Sequence, residues 1–323
     1  MSARWSFLGG VTARLPELLP PSRALSVRSA DCTRLHTRVF GPPTGYPIVL
    51  IHGFACAIRA WAYQIADLAT DYRVIAFDQR GHGRSDVPGR RGYTLARIAS
   101  DLDAVLEATL ARHERALIAG HSMGGITLAA WTSRYSHNVR RRADAVALIN
   151  TMTGDLLRET QLLQVPRALS SARVLAGRCL INAFSGVQLP GAARIQSRYL
   201  VPMLALGDGV DPRVAELVFQ MFEETSPLGR GGCARMLTDA LGSRHLSLAG
   251  LTVPTLVIGS QSDRLAPLSQ SRRIARAAPN LVDLVELPGG HCSMLEQHRE
   301  VNRLLRATVR IDDPHGRGRL NTS

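Results

Sequence analysis

Lysine is absent from this 323-residue sequence, so all 39 of its basic residues are arginine. With 26 acidic residues, the formal net charge is +13. A G+C-rich coding composition, which favours arginine codons, accounts for such an excess; attraction to an anionic surface, substrate or acyl carrier is the functional alternative. The arginines are scattered and no recognition motif accompanies them, which argues against nucleic acid as a partner. Cysteine is scarce as well. Cys32, Cys56, Cys179, Cys233 and Cys292 are an odd number without a C-x-x-C pair. That pattern suggests neither a disulfide framework nor a zinc site, and it fits a reducing compartment. No apolar run is long enough to cross a bilayer, and Met1 to Gly10 lack the apolar stretch of a signal peptide. A cytoplasmic protein without a transmembrane segment is expected, with peripheral membrane contact left open.

Hydrophobic residues at 45% and charged residues at 20% suit a globular chain long enough to bury a core without metals or disulfides. Arg34–Phe40 reads as a first strand, followed by turn residues. Short apolar runs then recur: Ile48–Ile51, Val74–Phe77, Ala116–Ala119, Ala145–Ile149, Thr255–Ile258 and Val282–Leu287. Helical segments lie between most of them, at Ile58–Leu68, Leu95–Ala111, Ser122–Tyr135, Ser269–Ala278 and Leu295–Ala307. This alternation predicts an α/β fold with a mostly parallel sheet flanked by helices on both faces. Between residues 151 and 247 the alternation stops. Apolar helical stretches there, punctuated by Pro166, Gly177, Pro190, Pro202, Pro212 and Pro227, read as a helical cap over the carboxyl edge of the sheet, where ligands bind in open α/β sheets. The expected organisation is an N-terminal arm or short surface helix over 1–30, a core over 31–150 and 248–311, the cap over 151–247, and a disordered tail over 312–323.

The motif with most chemical content is Gly120-His121-Ser122-Met123-Gly124, followed by Gly125. It satisfies G-x-S-x-G between a buried strand and a helix, the setting in which a strained turn lifts a serine hydroxyl clear of the sheet. A serine hydroxyl needs a base to take its proton. His291 supplies one from the loop Leu287-Pro288-Gly289-Gly290-His291, just after the last expected strand. The imidazole in turn needs a carboxylate to fix its tautomer. Asp263, after the strand Thr255–Ile258, is the first choice, and Asp155, more distant from its preceding strand, is the rival. An oxyanion requires preplaced N–H donors. The backbone N–H of Met123 and that of Phe54, in the loop His52-Gly53-Phe54-Ala55, are the candidates. The block Asp78-Gln79-Arg80-Gly81-His82-Gly83-Arg84-Ser85-Asp86 is read as structural, with Asp78 and Arg80 tying turns near the active-site floor. Most apolar side chains of the cap should pack it onto the sheet; Met221 and Phe222, with Phe54, are the candidate substrate-lining residues.

Taken in order, His52-Gly53-Phe54, the Asp78 to Asp86 block, Gly120 to Gly125, Asp263 and His291 resemble the α/β-hydrolase superfamily over about residues 34–307. Within it, the chain resembles the capped esterase, lipase and epoxide-hydrolase branch. Epoxide hydrolases and haloalkane dehalogenases of that frame use an aspartate where Ser122 stands, and cap tyrosines or a tryptophan on the leaving group. This cap holds only Tyr199, which argues against those activities. The resemblance implies a serine hydrolase: two-step hydrolysis of a carboxylic ester through an acyl-enzyme at Ser122, with Asp263 and His291 completing the triad and neither cofactor nor metal. The expected substrate is a small ester with an apolar or lipid-like acyl group. Acyl transfer, C–C bond hydrolysis and cofactor-free perhydrolysis use the same triad and stay open; a non-catalytic ligand-binding role would go with a lost triad member.

Overall fold

The computed structural model describes residues 19–160, 178–179, 191–243 and 245–311. Eight strands form one sheet: β1 (Ser22–Arg28), β2 (Arg34–Phe40), β3 (Pro47–Ile51), β4 (Arg73–Phe77), β5 (Ala116–His121), β6 (Ala143–Ile149), β7 (Thr255–Ser260) and β8 (Leu281–Leu287). Their spatial order is β1-β2-β4-β3-β5-β6-β7-β8. The first two pairings, β1 with β2 and β2 with β4, are antiparallel, and all the others are parallel. Register carries Leu50 opposite Ala119, Ala119 opposite Ala147, Ala147 opposite Leu256, and Val257 opposite Leu284. The carboxyl ends of β3, β5, β6, β7 and β8 therefore finish along one edge.

Residues of β3 alternate between two cores, as a strand of period two requires. Ile48 and Leu50 join Phe40, Trp61, Ala119 and Leu305 on one face. Val49 and Ile51 join Leu102, Trp131, Leu148 and Val257 on the other. Both faces are covered by helices, which is why the inner strands read as continuous apolar runs. The helices are α1 (Ala62–Leu68), α2 (Leu95–Thr109), α3 (Met123–Arg134), α4 (Ser136–Arg142), α5 (Leu156–Glu159), α6 (Gly191–Ala205), α7 (Pro212–Glu224), α8 (Pro227–Ala240), α9 (Leu268–Ala277), α10 (Ser293–Glu296) and α11 (His298–Ile311). Among the described residues no strand lies between β6 and β7. The described part of that interval holds helices α5 to α8.

One expectation is corrected. Residues 22–28, expected in a loose arm or short surface helix, form β1 and pair along their whole length with β2. Edge position explains the weak signal: β1 is mostly half-buried or exposed, with Val27 alone fully covered, so it lacks the apolar run of an inner strand. The rest of the arm, the tail from Asp312, and the expected cap residues 161–177 and 180–190 lie outside the described residues.

Arg80, with a side chain fully inaccessible to solvent, ties together segments that are distant in sequence. Its Nε and Nη2 donate to the two carboxylate oxygens of Asp101 at 2.6 Å each, and Nη1 reaches Asp31 at 3.0 Å. Burial alone would weaken the charge on Arg80, but the two carboxylates hold its guanidinium above the ordinary range. Removing one member of such a pair leaves a buried charge uncompensated. Arg80→Ala is therefore expected to lower the unfolding free energy by about 3–5 kcal/mol, read from urea denaturation; a loss below about 1 kcal/mol would match an exposed pair and contradict this account.

Candidate active site

Ser122 sits at the β5–α3 junction with φ 52° and ψ −118°, a backbone state costing a non-glycine residue about 1–3 kcal/mol. The surroundings enforce it. Ser122 N–H donates to the Ile149 carbonyl at 3.0 Å, and the Thr151 hydroxyl donates to the Ser122 carbonyl at 2.7 Å. The flanking glycines are required by close approach: a Cβ on Gly120 would strike the Gly124 carbonyl, and one on Gly124 would overlap the Ile51 carbonyl at the end of β3.

The loop after β3 lies against this elbow. A Cβ on Gly53 would stand 3.1 Å from Ser122 Cβ. Among the described residues no hydrogen bond is donated by the N–H groups of Phe54 and Met123. Two buried histidines brace this loop. His52 Nδ1 lies 2.7 Å from the Gly53 carbonyl and must donate to it, which leaves Nε2 to accept Gln79 N–H at 3.0 Å. His82 Nδ1 likewise donates to the Arg80 carbonyl, and its Nε2 accepts Ala55 N–H, both at 3.0 Å. Phe54 thus stands between two backbone groups fixed by imidazoles. Burial pushes His52 down to about 4 and His82 down to about 3, so both are neutral near pH 7.

Asp263 and His291 meet at the ends of β7 and β8. His291 Nδ1 is 2.9 Å from Asp263 Oδ2 and 3.1 Å from Oδ1. The carboxylate also accepts N–H from Leu265 at 2.9 Å and Ala266 at 2.8 Å, and Nδ2–H of Asn150 at 2.9 Å. A carboxylate facing Nδ1 makes that atom the protonated ring nitrogen, which leaves Nε2 as the acceptor. No hydrogen bond joins Ser122 Oγ to His291; catalytic contacts of this kind often tighten only in the Michaelis complex. Their neighbours do touch: the His121 and His291 rings are 4.8 Å apart, and His121 Nε2 donates to the His291 carbonyl at 2.9 Å. Burial keeps His121 neutral, well below the usual histidine range.

The rival acid is engaged elsewhere. Asp155 faces His245 Nε2 at 3.1 Å, and His245 Nδ1 faces the Thr153 hydroxyl at 2.9 Å. Of the lining candidates, Phe54 packs beside Met123, Met152, Met236 and Leu237. Met221 is instead buried with Leu217, Cys56 and Cys292 in the core on one sheet face, because its place on α7 turns it toward the sheet. Half-buried Phe222 lies under the Arg230 guanidinium, 4.5 Å from its ring centre. Arg80 and Asp78 tie turns, as expected, but through separate partners: Asp78 accepts N–H from Ile58 and Arg84, each at 2.9 Å. Sequence reasoning missed Asn150, the two bracing histidines, and Met236 and Leu237 of α8. A polar residue directly after the β6 run was the available sign for Asn150; nothing local marks the others. Among the described residues no three His, Cys, Asp or Glu are grouped to hold a metal ion, and no helix is long and apolar enough to cross a membrane.

The chain belongs to the α/β-hydrolase family: the family model of the alpha/beta hydrolase fold matches residues 46–297. It is 30% identical over 289 residues to "Putative carbamate hydrolase RutD" of Variovorax paradoxus, covering 87% of this chain and 98% of that one. In fold it is similar to the enol-lactonase of Burkholderia xenovorans, with a TM-score of 0.69 at 24% identity over 89% of this chain and all of that one. A thermophilic esterase of Thermogutta terrifontis gives a TM-score of 0.67 at 24% identity, over 90% of this chain and 99% of that one. The protein is a hydrolase of this family.

Neutral burial of His52 and His82 has a pH consequence. Unfolding returns both to the ordinary value of 6.5, so below it the unfolded chain binds more protons and stability falls as pH drops. The urea midpoint is expected to decrease from pH 6.5 toward pH 4. In His82→Gln the amide can accept Ala55 N–H and donate to the Arg80 carbonyl without titrating. That variant should show a smaller decrease; an equal one would show that His82 contributes nothing to it.

Proposed function

We propose that this hydrolase cleaves carboxylic esters with an apolar acyl group through a Ser122–Asp263–His291 triad. The observation that carries the reading is the Asp263–His291 pair, with Nε2 left as the acceptor, beside a serine held at positive φ. In this mechanism Ser122 Oγ attacks the ester carbonyl as His291 Nε2 takes its proton. The tetrahedral oxyanion forms toward the N–H groups of Phe54 and Met123, where preplaced donors stabilise it without reorganisation. The imidazolium, balanced by Asp263, then protonates the leaving alcohol, and a water activated by His291 releases the acid from the acyl-enzyme. The helical insertion acts as a cap, and the apolar side chains around Phe54 and Met123 favour an apolar acyl group. Met152 and Met236 among them are flexible enough to repack around one. A carbamate, the class in the name of the Variovorax relative, presents a similar carbonyl. Five free cysteines, three of them buried, support a reducing, cytoplasmic setting.

A fluorophosphonate probe should label the unsubstituted chain and leave Ser122→Ala unlabelled. Hydrolysis of para-nitrophenyl esters should peak at one acyl length and fall by about 10⁶-fold in Ser122→Ala. Asp263→Asn, which allows the wrong imidazole tautomer, should cost about 10⁴-fold in kcat. Folded protein that neither labels nor turns over any ester or carbamate of the series would refute the assignment.

A further inference from the structure

Glu296, at the end of α10, has no part in the chemistry above, yet its carboxylate is a junction between two distant segments. Oε2 accepts N–H from Gly290 and from Gly207, each at 2.9 Å, and Oε1 accepts Cys292 N–H at 3.2 Å. Gly290 and Cys292 flank His291. Gly207 belongs to the insertion, two residues beyond α6. Every contact presents a donor to the carboxylate, so the ionised form fits this cradle and a protonated acid would set O–H against N–H. Burial opposes that charge and pushes Glu296 above the usual range, while the three N–H groups hold it down.

The segments also touch directly. Cys292 N–H donates to the Ala205 carbonyl at 3.2 Å. A Cβ on Gly290 would collide with Leu206 and with Gly207 N, and one on Gly207 would lie 2.9 Å from Gly289 Cα. The two backbones are thus in contact with no side chain between them, and neither can shift alone without breaking the carboxylate bonds. On its other side, the His291 carbonyl is held by His121.

We propose that Glu296 is a positioning residue that makes the orientation of His291 conditional on the seating of residues 205–207 of the insertion. The inference rests on His291 being the general base. It implies that a displacement of residues 205–207 is felt by the base through the Glu296 carboxylate, as in conformational steps that complete a catalytic site.

The test compares ester kinetics of the unsubstituted chain, Glu296→Gln and Glu296→Asp. In Glu296→Gln the amide NH₂ faces Cys292 N–H, and the negative charge that Glu296 sets against Asp263, the carboxylate partner of His291, is lost. We expect kcat to fall about tenfold or more, as for a displaced catalytic group, KM to rise with it, and the acid limb of kcat/KM to move to lower pH. Glu296→Asp keeps the charge and shortens the reach, so kcat falls while the acid limb stays. Folded Gln and Asp variants with unchanged kcat and unchanged acid limb would overturn the proposal. Should neither variant fold, amide exchange of the unsubstituted chain decides. Gly207 and Gly290 should open as one unit, and rates differing by more than about tenfold would place them in separate units and overturn it. Failure of the unsubstituted chain to react with fluorophosphonate would remove the base assignment itself, and this inference with it.

Discussion

Parallel pairing from β4 to β8 brings the strand ends along one edge, and every candidate group depends on it. His52 to Phe54 leave β3, Ser122 leaves β5, Asn150 leaves β6, Asp263 follows β7 and His291 follows β8. Side chains more than 100 residues apart in sequence meet because their strands end together. Backbone crowding sharpens the arrangement: Gly124 lies against the carbonyl of Ile51, and Gly53 lies against His121 and Ser122. The strained serine is held by its neighbours' main chain, so its conformation does not depend on any one flexible side chain.

Around these strand ends the buried polar groups are arranged as paired donors and acceptors. Asn150 shows the logic. Its Nδ2 donates to both Asp263 and Ser260 at 2.9 Å, while its Oδ1 accepts from Ser293. One amide thereby ties β6, β7 and the segment after His291. In a low-dielectric interior such satisfied networks are rigid, whereas one unpaired member is expensive. His52 and His82 extend the scheme, since an uncharged imidazole offers one donor and one acceptor without the cost of burying a charge.

The inner strands and the elbow were legible because they are local. Ile48 to Ile51 is an apolar run, and G-x-S-x-G combines strand, turn and helix in a few residues. The helical interval after β6 was legible from the absence of further runs. What escaped were relationships created by folding. β1 carries Arg23 and Arg28 on an edge, so its alternation is blurred. Met221 looks like a pocket residue in a helical stripe, and only the direction of α7 shows that it enters the core. Glu296 reads as an ordinary helix residue; its role appears only when Gly207, 89 positions earlier, arrives beside it.

Buried sulfur near the strand ends sets a further property. Cys292 follows His291, and Cys56 lies two positions beyond Phe54; both are buried. Burial raises the Cys56 thiol to about 12 and the Cys292 thiol well above its usual range. Thiols are poor nucleophiles until they lose the proton, so neither sulfur competes for an electrophile entering from the sheet edge. The protein should therefore tolerate soft alkylating reagents and mild oxidants in its interior, and what modification occurs should gather at the exposed Cys32 and Cys179.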